Sequence, residues 1–286
     1  MTDDIDQSPA HAALPESALV SNPWEALRQF TAARIALGRV GTSLPTAPHL
    51  QFQLAHARAR NAVHRPADLT GIQEQLQQCG LDTTVVHSAA STRAIYLQRP
   101  DQGRRLDEAA RQQLGQMAMK AAPDVVFVIG DGLSSLAIEK NAVPFVKEML
   151  PRLREAGWQV GPTTLVRHAR VAVGDEVAEL LRAKLVVMLI GERPGLSSPD
   201  SMGIYMTWAP HVGLTDAARN CISNVRQEGL SYAGAAHKLL YLMEQARQRE
   251  RSGVSLKDES DAPQLQEQAP VKPLFLLQTP SRIERP

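Results

Sequence analysis

The sequence predicts an α/β fold, an open and mostly parallel sheet with an amino-terminal helical region. Two unbroken apolar runs, VVFVI at 125–129 and LVVMLI at 185–190, have the length and branched content of strands buried on both faces. Helical periodicity fills the intervals around them, and that alternation builds parallel sheets. Before about residue 83 the β-branched runs are missing and the pattern is helical.

Residues 1–20 lack periodic apolar positions and read as a disordered tail. Ser21-Asn22-Pro23-Trp24 is a helix-start signal, a capping residue followed by proline at the first helical position. Trp24, Leu27, Phe30 and Ile35 then extend a helical stripe to about Gly38. A proline-rich loop over 42–48 leads to a second helix with Leu50, Leu54 and Ala57 on one face. A third helix is predicted over 68–79 and closed by Gly80.

Strand character begins at 83–87, and 94–97 is a second short candidate, followed by a helix over 107–122. After VVFVI comes GDGLSS and a helix over 137–154, broken or offset at Pro144 and ended by Gly157. A strand at 163–166, a short helix at 175–183, LVVMLI and a strand at 203–208 follow. A long helix over 231–249 carries Leu239, Leu240, Leu242 and Met243 on a broad apolar face. The expected division is a disordered tail 1–20, a helical region 21–82, an α/β domain 83–251 and a flexible, Gln/Pro-rich tail 252–286.

Composition narrows the function classes. The 286 residues are 43% hydrophobic and 21% charged, with a net charge of +1, so no global field points to nucleic acid or membrane. The two cysteines, Cys79 and Cys221, make neither a disulfide framework nor a CxxC pair, and a reducing cytoplasm is the natural setting. No apolar run approaches the roughly 20 residues needed to span a bilayer.

In open α/β sheets, ligands bind at the carboxyl ends of strands. Three segments qualify there. Gly130-Asp131-Gly132-Leu133-Ser134-Ser135 follows a buried strand and reads either as a close backbone approach to an anion or as a tight turn with a helix cap. It lacks the third glycine of GxGxxG and the lysine of a P-loop. Gly191-Glu192-Arg193-Pro194-Gly195 leaves the second buried strand. Glu192 can accept from ligand amides or hydroxyls and Arg193 can grip an anion, or the two form an internal ion pair or cap. Asn220-Cys221-Ile222-Ser223-Asn224 offers a cysteine suited to packing and has no histidine nearby to activate it.

Eight histidines form no HExxH or paired-cysteine metal pattern, and GxSxG is absent, so no metal site and no self-sufficient catalytic residue is expected. Between Ala26 and Ala67 there is no Asp or Glu, while Arg28, Arg34, Arg39, Arg58, Arg60 and Arg65 all occur. Aromatic residues are sparse there, which weighs against stacking on single-stranded nucleic acid, and docking to a partner subunit is favoured over a merely solvated basic face.

Read in order, WEALRQFTAARIALGRVG, IYLQRPDQGRRL, PDVVFVIGDGLSS, VGPTTLVRHARVAVGD, VVMLIGERPGLSSPDS and RNCISNVRQEGLSY resemble the small subunit (light chain) of ethanolamine ammonia-lyase over about residues 21–250. The resemblance implies a Rossmann-like domain preceded by helices and a hetero-oligomer with a large TIM-barrel subunit. Adenosylcobalamin would lie between the two, in its base-on form because the DxHxxG motif of base-off enzymes is absent. It implies an ammonia-lyase active only with the large subunit. Co–C homolysis would start the radical rearrangement of ethanolamine to acetaldehyde and ammonia. Three cofactor-binding positions carry over: Val171 in LVRHARVAV, Glu192 in GERPG and Cys221 in NCISN. No nucleic acid or membrane partner follows, and the cytoplasm, free or within a bacterial microcompartment, is the implied location. The reading from a different class is a non-catalytic Rossmann-like protein that binds a nucleotide or touches RNA. It would require a better phosphate loop at 130–135.

Overall fold

The computed structural model describes residues 19–117 and 121–260. Its centre is a six-stranded sheet in the order β1-β3-β2-β4-β5-β6, formed by β1 (Thr83–His87), β2 (Val125–Gly130), β3 (Thr163–Arg167), β4 (Leu185–Gly191), β5 (Met202–Trp208) and β6 (Asn220–Val225). The first four are mutually parallel, while β5 and β6 add as an antiparallel edge. The α/β, mostly parallel sheet expected from the sequence is what forms.

Period-two alternation sorts the central side chains onto two faces. Val125, Phe127 and Ile129 pack with Leu185, Val187 and Leu189 on one face, against α2 (Leu69–Gln78), α5 (Ser135–Glu155) and α7 (Tyr232–Arg249). Val126, Val128, Val186, Met188 and Ile190 face α4 (Glu108–Gln116) and α6 (Val173–Leu180). The β2 side chains and Leu185, Val187 and Leu189 of β4 are fully buried. Each large one contributes about 1.5–3 kcal/mol relative to exposure.

The α5 helix runs through both Pro144 and Pro151 without a break. An interior proline costs about 3 kcal/mol. Burial of Ala142, Val143, Phe145, Val146 and Met149 on either side of Pro144 holds the two halves in one line.

Other expectations yield to packing. The helix expected from Pro23 to Gly38 is a single 3-10 segment, Glu25–Phe30, with no buried residue and extended chain after it. Its apolar stripe stays largely exposed, with Trp24, Phe30 and Ile35 at the surface, and short helices without a buried face are marginal in water. The α1 helix (Thr46–His64) buries Ala55, Ala59 and Ala62 instead of the predicted Leu face, leaving Leu50 and Leu54 exposed. Small side chains let it lie close on α5.

Residues 94–97 are not a strand but part of α3 (Arg93–Gln98), started by the Thr92 hydroxyl accepting from the Ile95 N–H at 3.2 Å. The NCISN segment is not a loop but the edge strand β6, whose polar composition hides its pairing. Past 251 the chain folds against the sheet edge. The Ser252 hydroxyl accepts from the Trp208 N–H at 2.9 Å and donates to the Ala218 carbonyl at 2.6 Å, and Leu256 is buried. Of the tails expected over 1–20 and 252–286, residues 1–18 and 261–286 lie outside the described residues. Among the described residues no helix is long and apolar enough to cross a membrane.

Candidate functional site

The loop after β2 runs to α5 on one face of the sheet, while the loop after β3 runs to α6 on the other. Neighbouring strands whose connections part in this way leave a crevice at their carboxyl ends. A cleft of about 400 Å³ lies there, and Val171 and Glu192 both line it, together with Tyr96, Arg170, Arg193 and Tyr205.

Asp131 ties the two loops together. Its carboxylate accepts from the His168 N–H at 3.0 Å and the Ala169 N–H at 2.9 Å, and it lies 3.6 Å from Arg93 Nη1. His168 takes a positive φ of 57° at this junction. Burial lowers its imidazole pKa, an effect opposed by its hydrogen bond with the Ala90 carbonyl.

The next residues of GDGLSS are equally engaged. The Leu133 N–H donates to the Gly191 carbonyl at 2.9 Å. The Ser134 hydroxyl accepts from the Ala137 N–H at 3.2 Å, capping α5, and donates to the Pro199 carbonyl at 2.6 Å. Of the two readings of GDGLSS, the tight turn with a helix cap is the one the structure shows. Gly132 and Gly191 are required by contact: a Cβ on Gly132 would lie 2.2 Å from the Gly191 carbonyl oxygen, and Gly132 has φ +58°.

Glu192 is the first residue past β4, and its N–H donates to the Ser201 carbonyl at 3.0 Å. Its Oε2 accepts from the Ser201 hydroxyl and lies 3.5 Å from the Asn224 N–H. Oε1 receives no hydrogen bond among the described residues, so the carboxylate is oriented through one oxygen and offers the other. Arg193 is exposed and forms no ion pair among the described residues, so the internal Glu–Arg pair weighed for this loop does not form.

Cys221 stands on β6 opposite Tyr205 of β5. Burial raises its thiol pKa, helped by the Glu192 carboxylate, against the Tyr205 phenol, which lowers it. The phenol in turn is raised by burial and by Cys221. Cys221 is therefore a neutral thiol beside the cleft wall, suited to packing and not to nucleophilic attack. Val171, half-buried, begins the turn into α6, with its carbonyl accepting from the Gly174 N–H at 3.1 Å.

Val171 and Glu192 thus line one cleft, whereas Cys221 is exposed on β6 outside that lining and reaches it only through its pairing with Tyr205. Sequence reasoning missed Tyr96, Arg170 and Tyr205. The signal for Arg170 lay in LVRHARVAV, and Tyr96 was obscured by the expectation of a strand. Among the described residues no group of three His, Cys, Asp or Glu is placed to hold a metal ion.

Comparison with known proteins gives the family. Residues 21–257 match the profile of the family described as "Ethanolamine ammonia-lyase light chain (EutC)". The chain is 57% identical over 266 residues to an ethanolamine ammonia-lyase small subunit of Pseudomonas aeruginosa, covering 92% of this chain and 97% of that one. It is 55% identical over 268 residues to a protein of the same description from Ralstonia nicotianae, covering 93% and 97%. A Pseudomonas putida relative with that description is 58% identical over 243 residues, covering 84% and 89%.

Proposed function

Because the chain belongs to the ethanolamine ammonia-lyase light-chain family, we propose that it is the small subunit of an enzyme that converts ethanolamine to acetaldehyde and ammonia. In this reading the cleft at the carboxyl end of the sheet is one wall of an adenosylcobalamin site. A large TIM-barrel subunit closes it and carries the substrate.

The observation that carries the reading is that Val171, Glu192 and Tyr205 line one cleft, with Cys221 paired to Tyr205 on the neighbouring strand. The residues present fit a corrinoid. Glu192 keeps one oxygen free for a donor, and corrin side-chain amides and ribose hydroxyls are donors. Val171 supplies an apolar contact for a large, partly apolar ligand. Cys221 and Tyr205 form the firm wall beside them.

Size supports an interface. The cleft of about 400 Å³ is near the lower end of the roughly 300–1,000 Å³ typical of pockets that enclose drug-sized ligands. A corrinoid is larger than such ligands and would lie across the mouth, with a partner covering its other side. The chemistry the cofactor supplies is a carbon-centred radical that starts the rearrangement. This chain's residues bind the cofactor, orient it and shield it from water. No histidine here is assigned to cobalt, and the cofactor is expected to keep its own base.

The amino-terminal arm supports a docked partner. Trp24 is 63% and Phe30 66% exposed, large apolar side chains that a folded surface seldom leaves in water together. Arg34 hydrogen-bonds to the Ser197 hydroxyl and the Leu196 carbonyl, each at 3.4 Å, which seats the arm against the loop that begins with Glu192. Arm and cleft would therefore meet the same large subunit.

The test is a spectral titration with cyanocobalamin of this chain alone and co-purified with the large subunit. Binding by the complex with a base-on spectrum, and little by the chain alone, is expected. A soluble, assembled complex that binds no corrinoid would overturn the reading. Deamination of ethanolamine by the isolated chain would overturn the division of labour.

A further inference from the structure

The RPDQGRRL run and Tyr96 have no part in the three contacts above, yet Tyr96 lines the cleft and Gly103 of the run packs behind it. Tyr96 is fully buried, and its ring lies between two guanidinium groups, Arg93 at 4.6 Å and Arg170 at 4.3 Å from the ring centroid. Arg170 Nε is buried with no hydrogen-bond partner, and Tyr96 Oη and Arg93 Nη2 lie close together without a hydrogen bond of good geometry. Buried polar atoms are nearly always paired, so a cluster of poorly paired ones beside a cleft calls for an explanation.

Charge points the same way. Asp131 is the carboxylate beside Arg93, at 3.6 Å. Arg170 forms no ion pair among the described residues, and its Nη2 donates only to the Tyr96 carbonyl, at 3.2 Å. Arg93 thus has a carboxylate beside it, and Arg170 has none among the described residues. His168, its pKa lowered chiefly by burial, adds no charge near neutral pH.

The stack is built, not incidental. Arg93 is fixed by donating to the Val63 and Gly132 carbonyls, both at 2.7 Å. Gly103 of RPDQGRRL accepts from the Arg170 N–H at 2.7 Å. A Cβ on Gly103 would lie 2.8 Å from Arg170 Cγ and 3.0 Å from Tyr96 Cδ2, so only glycine lets the run back this arginine.

We infer that Arg170, seated on Tyr96 beside Val171, is an anion subsite that takes the singly charged phosphodiester of the cofactor's nucleotide loop. This rests on the reading of the cleft as a corrinoid site. The corrin amides are neutral and suit Glu192, whereas the phosphodiester matches one uncompensated cation and the geometry of a guanidinium. Tyr96 is a positioning residue. Burial pushes its phenol up to about 12, against the pull of Arg170, so it stays a neutral support for the cation.

The experiment compares two probes on the co-purified complex: cyanocobalamin, and cobinamide, which has the same corrin without the phosphate, ribose and base. Arg170→Gln should weaken cyanocobalamin about tenfold or more and leave cobinamide within about twofold. Arg170→Lys should recover part of the loss, and Tyr96→Phe should cost a few-fold on cyanocobalamin alone. Melting temperature and co-purification check folding. If Arg170→Gln does not assemble, the Lys and Phe variants give the same comparison. Equal losses on both probes, or no loss on either, would overturn the phosphodiester assignment while leaving the cleft a corrinoid site. A wild-type complex that binds neither probe would overturn both readings.

Discussion

At the amino end of the sheet Asp124 accepts from Lys184 Nζ at 2.9 Å and from the Gln159 N–H at 3.1 Å, and the Arg247 guanidinium lies 3.4 Å from the centre of the Trp158 ring. A cleft of about 400 Å³ opens there, as large as the one at the carboxyl end. The difference is in what lines them. At the amino end both cations, Lys184 and Arg247, lie against Asp124, and the Trp158 indole N–H is the one buried unpaired atom among the described lining side chains. At the carboxyl end Glu192 offers an oxygen, Arg193 and Arg170 lack ion-pair partners among the described residues, and Tyr96 holds a buried hydroxyl with none. Volume does not separate a site from a seam; unmatched chemistry at the end where the strand connections part does.

The largest effect should come from breaking the junction that holds the carboxyl end together. Asp131→Ala removes the acceptor for two backbone N–H groups and the counter-charge of Arg93. It should lower stability by about 3–5 kcal/mol, read by denaturant unfolding. A loss below about 1 kcal/mol would show that the two loops hold each other without it.

Next is Glu192→Ala, which should weaken cobalamin binding by the complex about tenfold while leaving the melting temperature of the chain nearly unchanged. Unchanged affinity would remove Glu192 from the site.

The third prediction concerns acid. Burial alone would raise Glu176, but Arg111, the Leu106 N–H and Arg105 outweigh it, and its pKa is lowered. Its contribution is therefore present above the unfolded value, about 4.3 for Glu, and is lost as pH falls through the depressed folded value. Glu176→Gln should flatten the acid limb of a stability–pH curve, and an unaltered limb would assign that acid sensitivity elsewhere. The smallest effect belongs to the amino end. Asp124→Asn, at a partly exposed ion pair, should lower stability by about 1 kcal/mol or less and leave corrinoid binding untouched.

The sheet was legible in the sequence wherever burial on both faces wrote an unbroken apolar run, as at 125–129 and 185–190. The edge strand β6 was not, because a half-exposed strand of Asn, Ser and Cys carries no such signature. The arm at 23–38 misled for the opposite reason. Its helical stripe is real in sequence, but none of the 3-10 segment's residues is buried, and propensity without a buried face gives one short 3-10 segment. Of the site, Glu192 and the two loop glycines were readable from their place after buried strands. The NCISN segment was singled out from the residues, but the role of Cys221 there, and Val171 altogether, came from the family resemblance, since neither side chain announces a ligand. The Tyr96–Arg170 stack was out of reach, because it depends on two segments 74 residues apart meeting through a buried ring.

The most direct test is cyanocobalamin affinity measured side by side for the wild-type complex, Glu192→Ala at the carboxyl end and Asp124→Asn at the amino end. Weakened binding in the first variant with wild-type affinity in the second would place the cofactor where the strand connections part. Wild-type affinity in Glu192→Ala, or a loss in Asp124→Asn of equal size, would contradict that placement.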